Sequence, residues 1–217
     1  MKYVFLDSVD STQSYIKEQL KGNDKDIAVM AKVQKCGRGR TGRNWCSPYG
    51  GLWFSFDVEF FNDIIPLTVG VSVMKACEDF LGHKVLLKWP NDLILDDKKV
   101  AGILCEKCGD RVIVGIGINT NVDNVEVENS TSFLRVTGSK IDNEKLMRKV
   151  IDNFFELRDK REEVIEEFRK NMAFVGKEKY VSAIRKTAKI IGISCEGHLI
   201  IEDEGKNKEV FIGEILC

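Results

Sequence analysis

The sequence predicts an α+β fold that is followed by a small β-barrel at the C-terminus. Two observations indicate this. Up to Gly176, short apolar runs typical of strands alternate with segments of helical spacing, the longest at residues 64–81 and 142–157. After Gly176 the pattern changes to short strands with tight turns, which favours a separate barrel of about forty residues. We therefore expect domains at residues 1–172 and 173–217.

The bulk composition is that of a globular protein with a mixed-charge surface. Hydrophobic residues make up 43% of the 217 residues, and the formal net charge is −1. A general nucleic-acid binder is usually basic, so any positive field must be local. No apolar run approaches the roughly 20 residues of a membrane span. The apolar run at the N-terminus is too short for a signal peptide, and it ends at the acidic Asp7. With seven cysteines in no regular framework, we expect a cytoplasmic protein that binds neither DNA nor membrane.

The chain begins with a strand, a helix and a second strand, expected at residues 3–6, 13–20 and 27–34. Ser11 or Thr12 can cap the helix, and Gly22 closes it. Because a helix N-terminus presents free N–H groups, the same serine and threonine could also contact an anionic ligand.

The middle of the chain predicts a long helix among strands at residues 52–60, 86–88, 93–95, 100–105 and 111–118. This helix, at residues 64–81, follows Asn62 and Asp63, which can cap it, and it tolerates Pro66 in its first turn. Two more helices are expected at residues 142–157 and 162–171. The barrel strands are expected at residues 180–184, 189–193, 198–202 and 209–215.

The most specific chemistry lies in the loop at residues 34–45, which ends on Trp45. Its glycines and arginines alternate as Gly37, Arg38, Gly39, Arg40, Gly42 and Arg43. Glycine lets a backbone approach a ligand closely, and the planar arginine fork fits carboxylate and phosphate oxygens. Because the cations repel one another, we expect the loop to order around a negatively charged small molecule.

Two known phosphate-binding loops do not fit this stretch. Its glycines spell G-x-G-x-x-G, but the dinucleotide motif must open a helix, and this chain continues into a turn and a strand. Gly37 and Gly42 have the P-loop spacing, but Arg43-Asn44 stands where lysine followed by serine or threonine is required. A solvated basic surface loop is the remaining alternative.

Polar side chains also lie at the predicted turn at residues 89–92 and just before the strand expected at residues 100–105. Pro90 makes a rigid turn that holds Asn91 and Asp92 at a strand end. Lys99 directly precedes an apolar strand, and a partly buried ammonium favours an anionic partner. A solvated hairpin lysine is the alternative for Lys99.

The predicted strand at residues 111–118 is nearly all valine and isoleucine, but it contains Gly115 and Gly117 and is followed by Asn119. Glycine within a buried strand often marks the close approach of another group to the backbone. We therefore expect a ligand against this strand.

Cys105 and Cys108 form a lone C-x-x-C pair. A structural zinc needs two more ligands, and His83 and His198 are far away in the sequence. The sequence leaves open whether the pair has a metal or redox role.

Together these motifs resemble those of the biotin–protein ligases, also called biotin–[acetyl-CoA-carboxylase] ligases. The resemblance is carried by Asp10-Ser11-Thr12, Gln34, residues 37–45, Ser47-Pro48, residues 88–93, 99–106 and 115–119, and Thr131-Ser132-Phe133. It covers essentially the whole chain, and the order of the motifs is specific. It implies a mixed-sheet catalytic domain of the biotin/lipoate ligase type, similar to class II synthetases, with an SH3-like barrel. The chain starts at the first catalytic strand, so the resemblance implies the short form without the DNA-binding domain.

The chemistry that the resemblance implies has two steps. The carboxylate of biotin attacks the α-phosphate of ATP to give biotinyl-5′-AMP, and a lysine of a biotin carboxyl carrier domain then displaces AMP. The first step brings an anion onto a polyanion, so it needs fixed cations and Mg²⁺. The second needs water excluded, which a closing loop provides.

The resemblance also assigns roles to individual residues. The catalytic residues are Lys99 and Arg40. The biotin-binding residues are Ser11, Thr12, Gln13, Gln34, Gly37, Arg38, Gly39, Arg40, Trp45, Lys99, Gly115 and Gly117. The ATP-binding residues are Arg40, Arg43, Trp45, Asn91, Asp92, Lys99 and Asn119, and Asp92 is the expected contact for Mg²⁺ through the phosphates. Gln13 stands where asparagine is common in the family.

Two rival functions remain from the sequence. A lipoate–protein ligase shares the fold and the adenylate chemistry but lacks the K-W-P-N-D block. A non-catalytic biotin-binding protein would need fewer cations than Lys99 and the loop arginines supply. The family often forms homodimers, and the sequence decides neither this nor which carrier protein is the acceptor.

Overall fold

The structure is a computed structural model that describes residues 1–60, 62–123 and 127–216. The chain divides into two compact units, one of Met1–Asp63 and Lys98–Arg148, the other of Ile64–Asp97 and Lys149–Cys217. The expected boundary at residue 172 stays a prediction, and the last residue of the expected C-terminal domain, Cys217, lies outside the described residues.

The elements follow one another in this order. The strands are β1 (Lys2–Val9), β2 (Ile27–Gln34), β3 (Leu52–Glu59), β4 (Leu86–Lys88), β5 (Asp92–Leu95), β6 (Lys98–Cys108), β7 (Arg111–Ile118), β8 (Glu178–Val181), β9 (Lys186–Ile193), β10 (Leu199–Asp203), β11 (Lys206–Val210) and β12 (Ile215–Leu216). The helices are α1 (Thr12–Lys21), α2 (Ile65–Leu81), α3 (Phe133–Thr137), α4 (Asn143–Leu157) and α5 (Arg161–Lys170).

The first unit contains a mixed sheet with the strand order β1-β2-β3-β7-β6. β1 and β2 are parallel, and the other neighbours are antiparallel. β7 is buried along its whole length, as its run of valine and isoleucine predicts. α1 packs on the sheet through Ile16, which is fully buried against Val29 and Ile113. The expected α+β fold with a mixed sheet is confirmed.

A buried ion pair fixes three strands of this sheet. The Asp57 carboxylate on β3 is fully buried, accepts a hydrogen bond from the backbone N–H of Ile27 at 2.7 Å, and lies 2.6 Å from the guanidinium of Arg111 on β7. Arg111 also pairs with Asp26. A buried charge must be paired, so these contacts hold the start of β2, the end of β3 and the start of β7 together.

The second unit contains α2, α5, the β4–β5 hairpin and an antiparallel sheet with the order β11-β10-β9-β8-β12. α2 packs against α5. The antiparallel sheet begins at Glu178 and is compatible with the expected SH3-like barrel.

Several element boundaries differ from those predicted. The N-cap position of α2 is Ile64, which makes no side-chain cap hydrogen bond, so the expected cap at Asn62 or Asp63 is wrong. The expected strand at residues 209–215 is two strands, because the backbone turns between Val210 and Ile215 with a positive φ at Gly213.

The short helix α3 was not predicted. Ser132 caps its N-terminus by accepting a hydrogen bond from the N–H of Arg135, and Gly138 ends it in the left-handed conformation. Both signals are present in the sequence. Among the described residues, no helix is long and apolar enough to cross a bilayer.

Candidate active site

The site is built on two rows of residues that run across β3, β7 and β6. Residues directly opposite one another on neighbouring strands lie on the same face of a sheet. One row consists of Trp53, Gly117 and Gly102, and the next same-face row consists of Ser55, Gly115 and Leu104. The two rows therefore lie side by side, about 7 Å apart along the strands.

The N-terminus of α1 lies on the second row. The Thr12 hydroxyl is 2.7 Å from the hydroxyl of Ser55, and both residues are buried. Gln13 donates from Nε2 to the carbonyl of Leu104 at 2.8 Å. A Cβ atom on Gly115 would lie only 2.7 Å from Cδ of Gln13. Gly115 is thus needed for the close approach of Gln13 to β7.

Gln34 links this helix end to the arginine-rich loop. Its Oε1 accepts from the backbone N–H of Thr12 at 2.9 Å and from the Thr12 hydroxyl at 3.1 Å. Its Nε2 donates to Oγ of Ser47 at 2.9 Å, and that hydroxyl donates to the Trp45 carbonyl at 3.1 Å. Ser11, which caps α1, is buried beside Thr12. The result is a small polar pocket lined by hydroxyl and amide groups.

The loop itself is a narrow hairpin. The Trp45 N–H donates to the Gly37 carbonyl at 2.9 Å, and the Gly39 N–H donates to the Arg43 carbonyl at 2.7 Å. Its tip is a single 3₁₀ turn, Arg40–Gly42, with a φ of +75° at Gly42. No helix follows this turn, so the rejection of a dinucleotide-binding motif holds.

The loop carries three arginines, and two of them lie at its tip. Arg43 donates from Nε to the Arg40 carbonyl at 3.3 Å, so both arginines belong to the turn at the tip. Arg38 is paired with Glu106 on β6 at 3.4 Å, and both side chains are 41% exposed. An exposed pair of this kind contributes little to stability, so it holds the loop only loosely.

Trp45 lies flat against the first row. A Cβ atom on Gly117 would lie 2.5 Å from Nε1 of Trp45, and one on Gly102 would lie 2.7 Å from Cζ3. The ring also meets Trp53 edge to face, with 6.5 Å between ring centroids. The ammonium of Lys99 lies 5.1 Å from the Trp45 ring centroid. Nε1 of Trp45 is buried and has no acceptor among the described residues.

Backbone hydrogen bonds fix Lys99 and Asn119. Lys99 donates its N–H to the Asn129 carbonyl at 2.8 Å, and its own carbonyl accepts from the N–H of Thr131 at 2.9 Å. Asn119, buried at the end of β7, donates from Nδ2 to the Thr131 carbonyl at 3.0 Å. The segment around Thr131 therefore positions both residues.

Asn91 and Asp92 belong to the second unit, on the β4–β5 hairpin. The Asp92 carboxylate lies 3.3 Å from the ammonium of Lys88, with the two side chains only 13% and 11% exposed. Mg²⁺ in nucleotide sites is commonly held by one or two carboxylates together with substrate phosphates. Asp92 supplies one carboxylate, which fits a Mg²⁺ ion that is also held by phosphates.

The two cysteines of the C-x-x-C pair lie within one strand. Cys105 and Cys108 are three residues apart on β6, so their side chains point to opposite faces of the sheet. They cannot share a metal ion without a break in the strand. Burial raises the pKa of the Cys105 thiol to about 12.

Sequence reasoning missed three residues of this site. Ser47 and Ser55 each bond to a predicted site residue, and Gly102 supports Trp45. A signal existed for Ser55, because a serine in a largely apolar buried strand needs a hydrogen-bond partner. The ligand-binding roles assigned to the other site residues stay predictions.

Comparison with known proteins gives consistent matches. Residues 5–123 match the biotin/lipoate A/B protein ligase family. The bifunctional ligase/repressor BirA of Salmonella typhimurium is 31% identical over 236 residues, covering 97% of this chain and 72% of that protein.

Solved structures agree over nearly the whole chain. The biotin protein ligase from Aquifex aeolicus in complex with biotin and ATP is 34% identical with a TM-score of 0.90, covering 99% of this chain and 97% of that chain. The biotin protein ligase from Leishmania major in complex with biotinyl-5-AMP is 26% identical with a TM-score of 0.74, covering 97% of this chain and 99% of that chain. Because the family match covers more than half of the chain, the protein belongs to the biotin/lipoate A/B protein ligase family.

Proposed function

We propose that this protein is an ATP-dependent biotin–protein ligase, which forms biotinyl-5′-AMP from biotin and MgATP and then transfers biotin to a lysine of a carrier domain. The observation that carries the proposal is the Lys99 ammonium over the ring of Trp45, at the end of the arginine-rich loop. A cation thereby adjoins the loop, and Ser47 and Gln34 connect Trp45 by hydrogen bonds to the polar groups at the N-terminus of α1. The Aquifex aeolicus relative, whose solved structure contains biotin and ATP, supports the choice of substrates.

The polar pocket suits the ureido ring of biotin. Thr12 offers a buried hydroxyl and Gln34 a partly buried amide, with the buried Ser11 beside them. These groups can both donate to the ureido oxygen and accept from the ureido N–H groups. The dithiolane ring of lipoate offers only weak acceptors, so it could not exchange strong hydrogen bonds with these hydroxyl and amide groups. This favours biotin over lipoate.

In the first step, a carboxylate oxygen of biotin attacks the α-phosphorus of ATP. The new P–O bond forms as the bond to the β-phosphate oxygen breaks, and pyrophosphate leaves with the electron pair. Lys99 would lie at the reacting carboxylate and α-phosphate, while Arg40 and Arg43 would contact the phosphates. These cations lower the barrier because negative charge accumulates where they are already placed. Mg²⁺ held by Asp92 and the phosphates would add further neutralisation.

In the second step, the neutral amine of the acceptor lysine attacks the acyl carbon of the adenylate. AMP leaves with the electron pair, and the nitrogen loses a proton as the amide forms. Water would compete for the same carbon. The loop at residues 37–45 is proposed to cover the adenylate and exclude water, with Arg38 and Gly39 in contact with the biotin end.

The acceptor is proposed to be a biotin carboxyl carrier domain of a biotin-dependent carboxylase or decarboxylase. Relatives named biotin–[acetyl-CoA-carboxylase] ligase, from Paracoccus denitrificans and Mycobacterium tuberculosis, support this class of partner.

The experiment is to incubate the protein with ATP, Mg²⁺ and a carrier domain, with either biotin or lipoate, and to follow the carrier by mass spectrometry. We expect one biotinyl increment that requires ATP. A lipoyl increment would identify a lipoate ligase. Tight biotin binding without any increment would identify a non-catalytic binding protein, and either result would overturn the proposal.

A further inference from the structure

Two glycines form a flat platform under Trp45. Gly102 on β6 and Gly117 on β7 are directly opposite one another, so they share a face of the sheet. A methyl group at either position would come within 2.7 Å of ring atoms of Trp45. Carbon atoms in contact are normally about 3.5–4.0 Å apart, and an indole ring cannot bend. With a side chain at either position, Trp45 could not lie where it does.

The ring on this platform also holds a cation. The Lys99 ammonium lies 5.1 Å from the ring centroid, within the range in which the face of tryptophan attracts a cation. Lys99 lies three residues before Gly102 on the same strand, and its Cε would be 3.4 Å from a Cβ atom at Gly102. Platform, ring and lysine are therefore one packed unit.

Hydrogen bonds to neighbouring residues fix the backbone of Trp45 at the end of the loop. Its N–H donates to Gly37 at 2.9 Å, and its carbonyl accepts from Ser47 at 3.1 Å. The position of the ring is thus coupled to the hairpin, and through Ser47 and Gln34 to the polar pocket.

We infer that Trp45 is a positioning residue. Because Gly102 and Gly117 have no side chains, the indole ring can pack against the sheet, and we call this packing the seating of Trp45. In that position the ring places the Lys99 ammonium for adenylate formation. On this inference, Gly117 lacks a side chain to leave room for the ring of Trp45, and not to leave room for the ligand directly. The catalytic part of this inference rests on the proposed function, whereas the seating of Trp45 does not.

The seating is tested without substrate by ¹⁹F NMR of protein that contains 5-fluorotryptophan. The chain has three tryptophans, and Trp45→Phe assigns the signal of Trp45. We expect Gly117→Ala to move that signal, whereas Trp89, whose N–H bonds to Gly197 at 3.0 Å, keeps its own. Gly22→Ala, at an exposed position with a φ of −81°, is the control and should change neither signal. An unmoved Trp45 signal in Gly117→Ala would overturn the seating.

A double-mutant cycle then separates seating from ligand contact. If Gly117 serves Trp45, Gly117→Ala lowers the rate of adenylate formation about 10-fold or more in the natural protein but has no further effect in a Trp45→Ala background. If Gly117 makes room for biotin itself, the two losses multiply, and the inference is wrong.

The link from Trp45 to Lys99 is tested by the choice of side chain at position 45. Trp45→Phe keeps an aromatic face and should retain most of kcat, whereas Trp45→Leu should lose about 5- to 30-fold in kcat with little change in the KM for biotin. Equal kcat in the two variants would overturn the role of the ring face. If the natural protein formed no adenylate, the proposed function would be wrong. The NMR result on the packing of Trp45 against Gly102 and Gly117 would be unaffected.

Discussion

Replacing Thr12 by valine keeps the shape of the side chain but removes the hydroxyl at the centre of the polar pocket. That hydroxyl makes two hydrogen bonds, a part-buried one to Oε1 of Gln34 at 3.1 Å and a buried one to Oγ of Ser55 at 2.7 Å. Each is worth about 1 kcal/mol net, so Thr12→Val should lower the free energy of unfolding by about 2 kcal/mol. For a chain of this length that is roughly 4–8 °C in Tm.

A second substitution makes the prediction specific. In Thr12→Val, the Ser55 hydroxyl loses its Thr12 partner and stays buried, and an unpaired buried hydroxyl is itself costly. Adding Ser55→Ala removes that hydroxyl, so the double variant should be about as stable as Thr12→Val alone. The assay is urea unfolding of the two single variants, the double variant and the exposed control Thr187→Val, which should change stability by less than about 0.5 kcal/mol.

The same variants test the pocket. Because Thr12 is proposed to bond the ureido ring, Thr12→Val should raise the KM for biotin about 10-fold, while Ser55→Ala should raise it less. Additive stability losses in the double variant would show that Thr12 and Ser55 do not share a hydrogen bond. An unchanged KM in Thr12→Val would show that the pocket does not recognise biotin.

Three further predictions concern the loop, the sheet and a thiol. Arg40→Gly should speed release of the adenylate while leaving Tm almost unchanged, because Arg40 lies at the tip of a loop; an unaltered release rate in a filter assay would count against closure. Asp57→Ala should cost roughly 3 kcal/mol in urea unfolding, since it leaves the buried guanidinium of Arg111 without one partner; a loss below 1 kcal/mol would contradict the pairing. At pH 8, iodoacetamide should label the exposed Cys36 quickly and Cys105 only after denaturation, because burial raises the pKa of the Cys105 thiol to about 12; equal labelling measured by mass would refute this.

The elements could be predicted largely because their signals are local. β2 and β7 have the bounds expected from their apolar runs, and α1 has the serine cap and the glycine end that the sequence indicates. The errors lie where a turn interrupts a strand-like run, as between Val210 and Ile215, or where an apolar residue takes a cap position, as Ile64 does.

Residue types alone led to the predicted set of site residues, but they could not give the geometry of the site. Gly115 and Gly117 were expected to leave room for a ligand, and the structure instead shows Gln13 and Trp45 against them. Which group fills the space above a glycine depends on the register between β6 and β7 and on the path of the loop, and both are set by contacts distant in sequence. Gly102 was overlooked for the same reason, since its partnership with Gly117 exists only in the folded sheet.

The most direct test of the proposed mechanism is single-turnover formation of biotinyl-5′-AMP, measured by quenching and mass spectrometry without any carrier present. Lys107 lies on the same strand as Lys99, with its ammonium 4.8 Å from the Phe60 ring, so Lys107→Ala is a matched control. We predict that the natural protein and Lys107→Ala form the adenylate at similar rates and that Lys99→Ala, still folded by circular dichroism, forms it at least about 100-fold more slowly. Undiminished adenylate formation by Lys99→Ala would contradict the role of this lysine as the cation at the reacting phosphate.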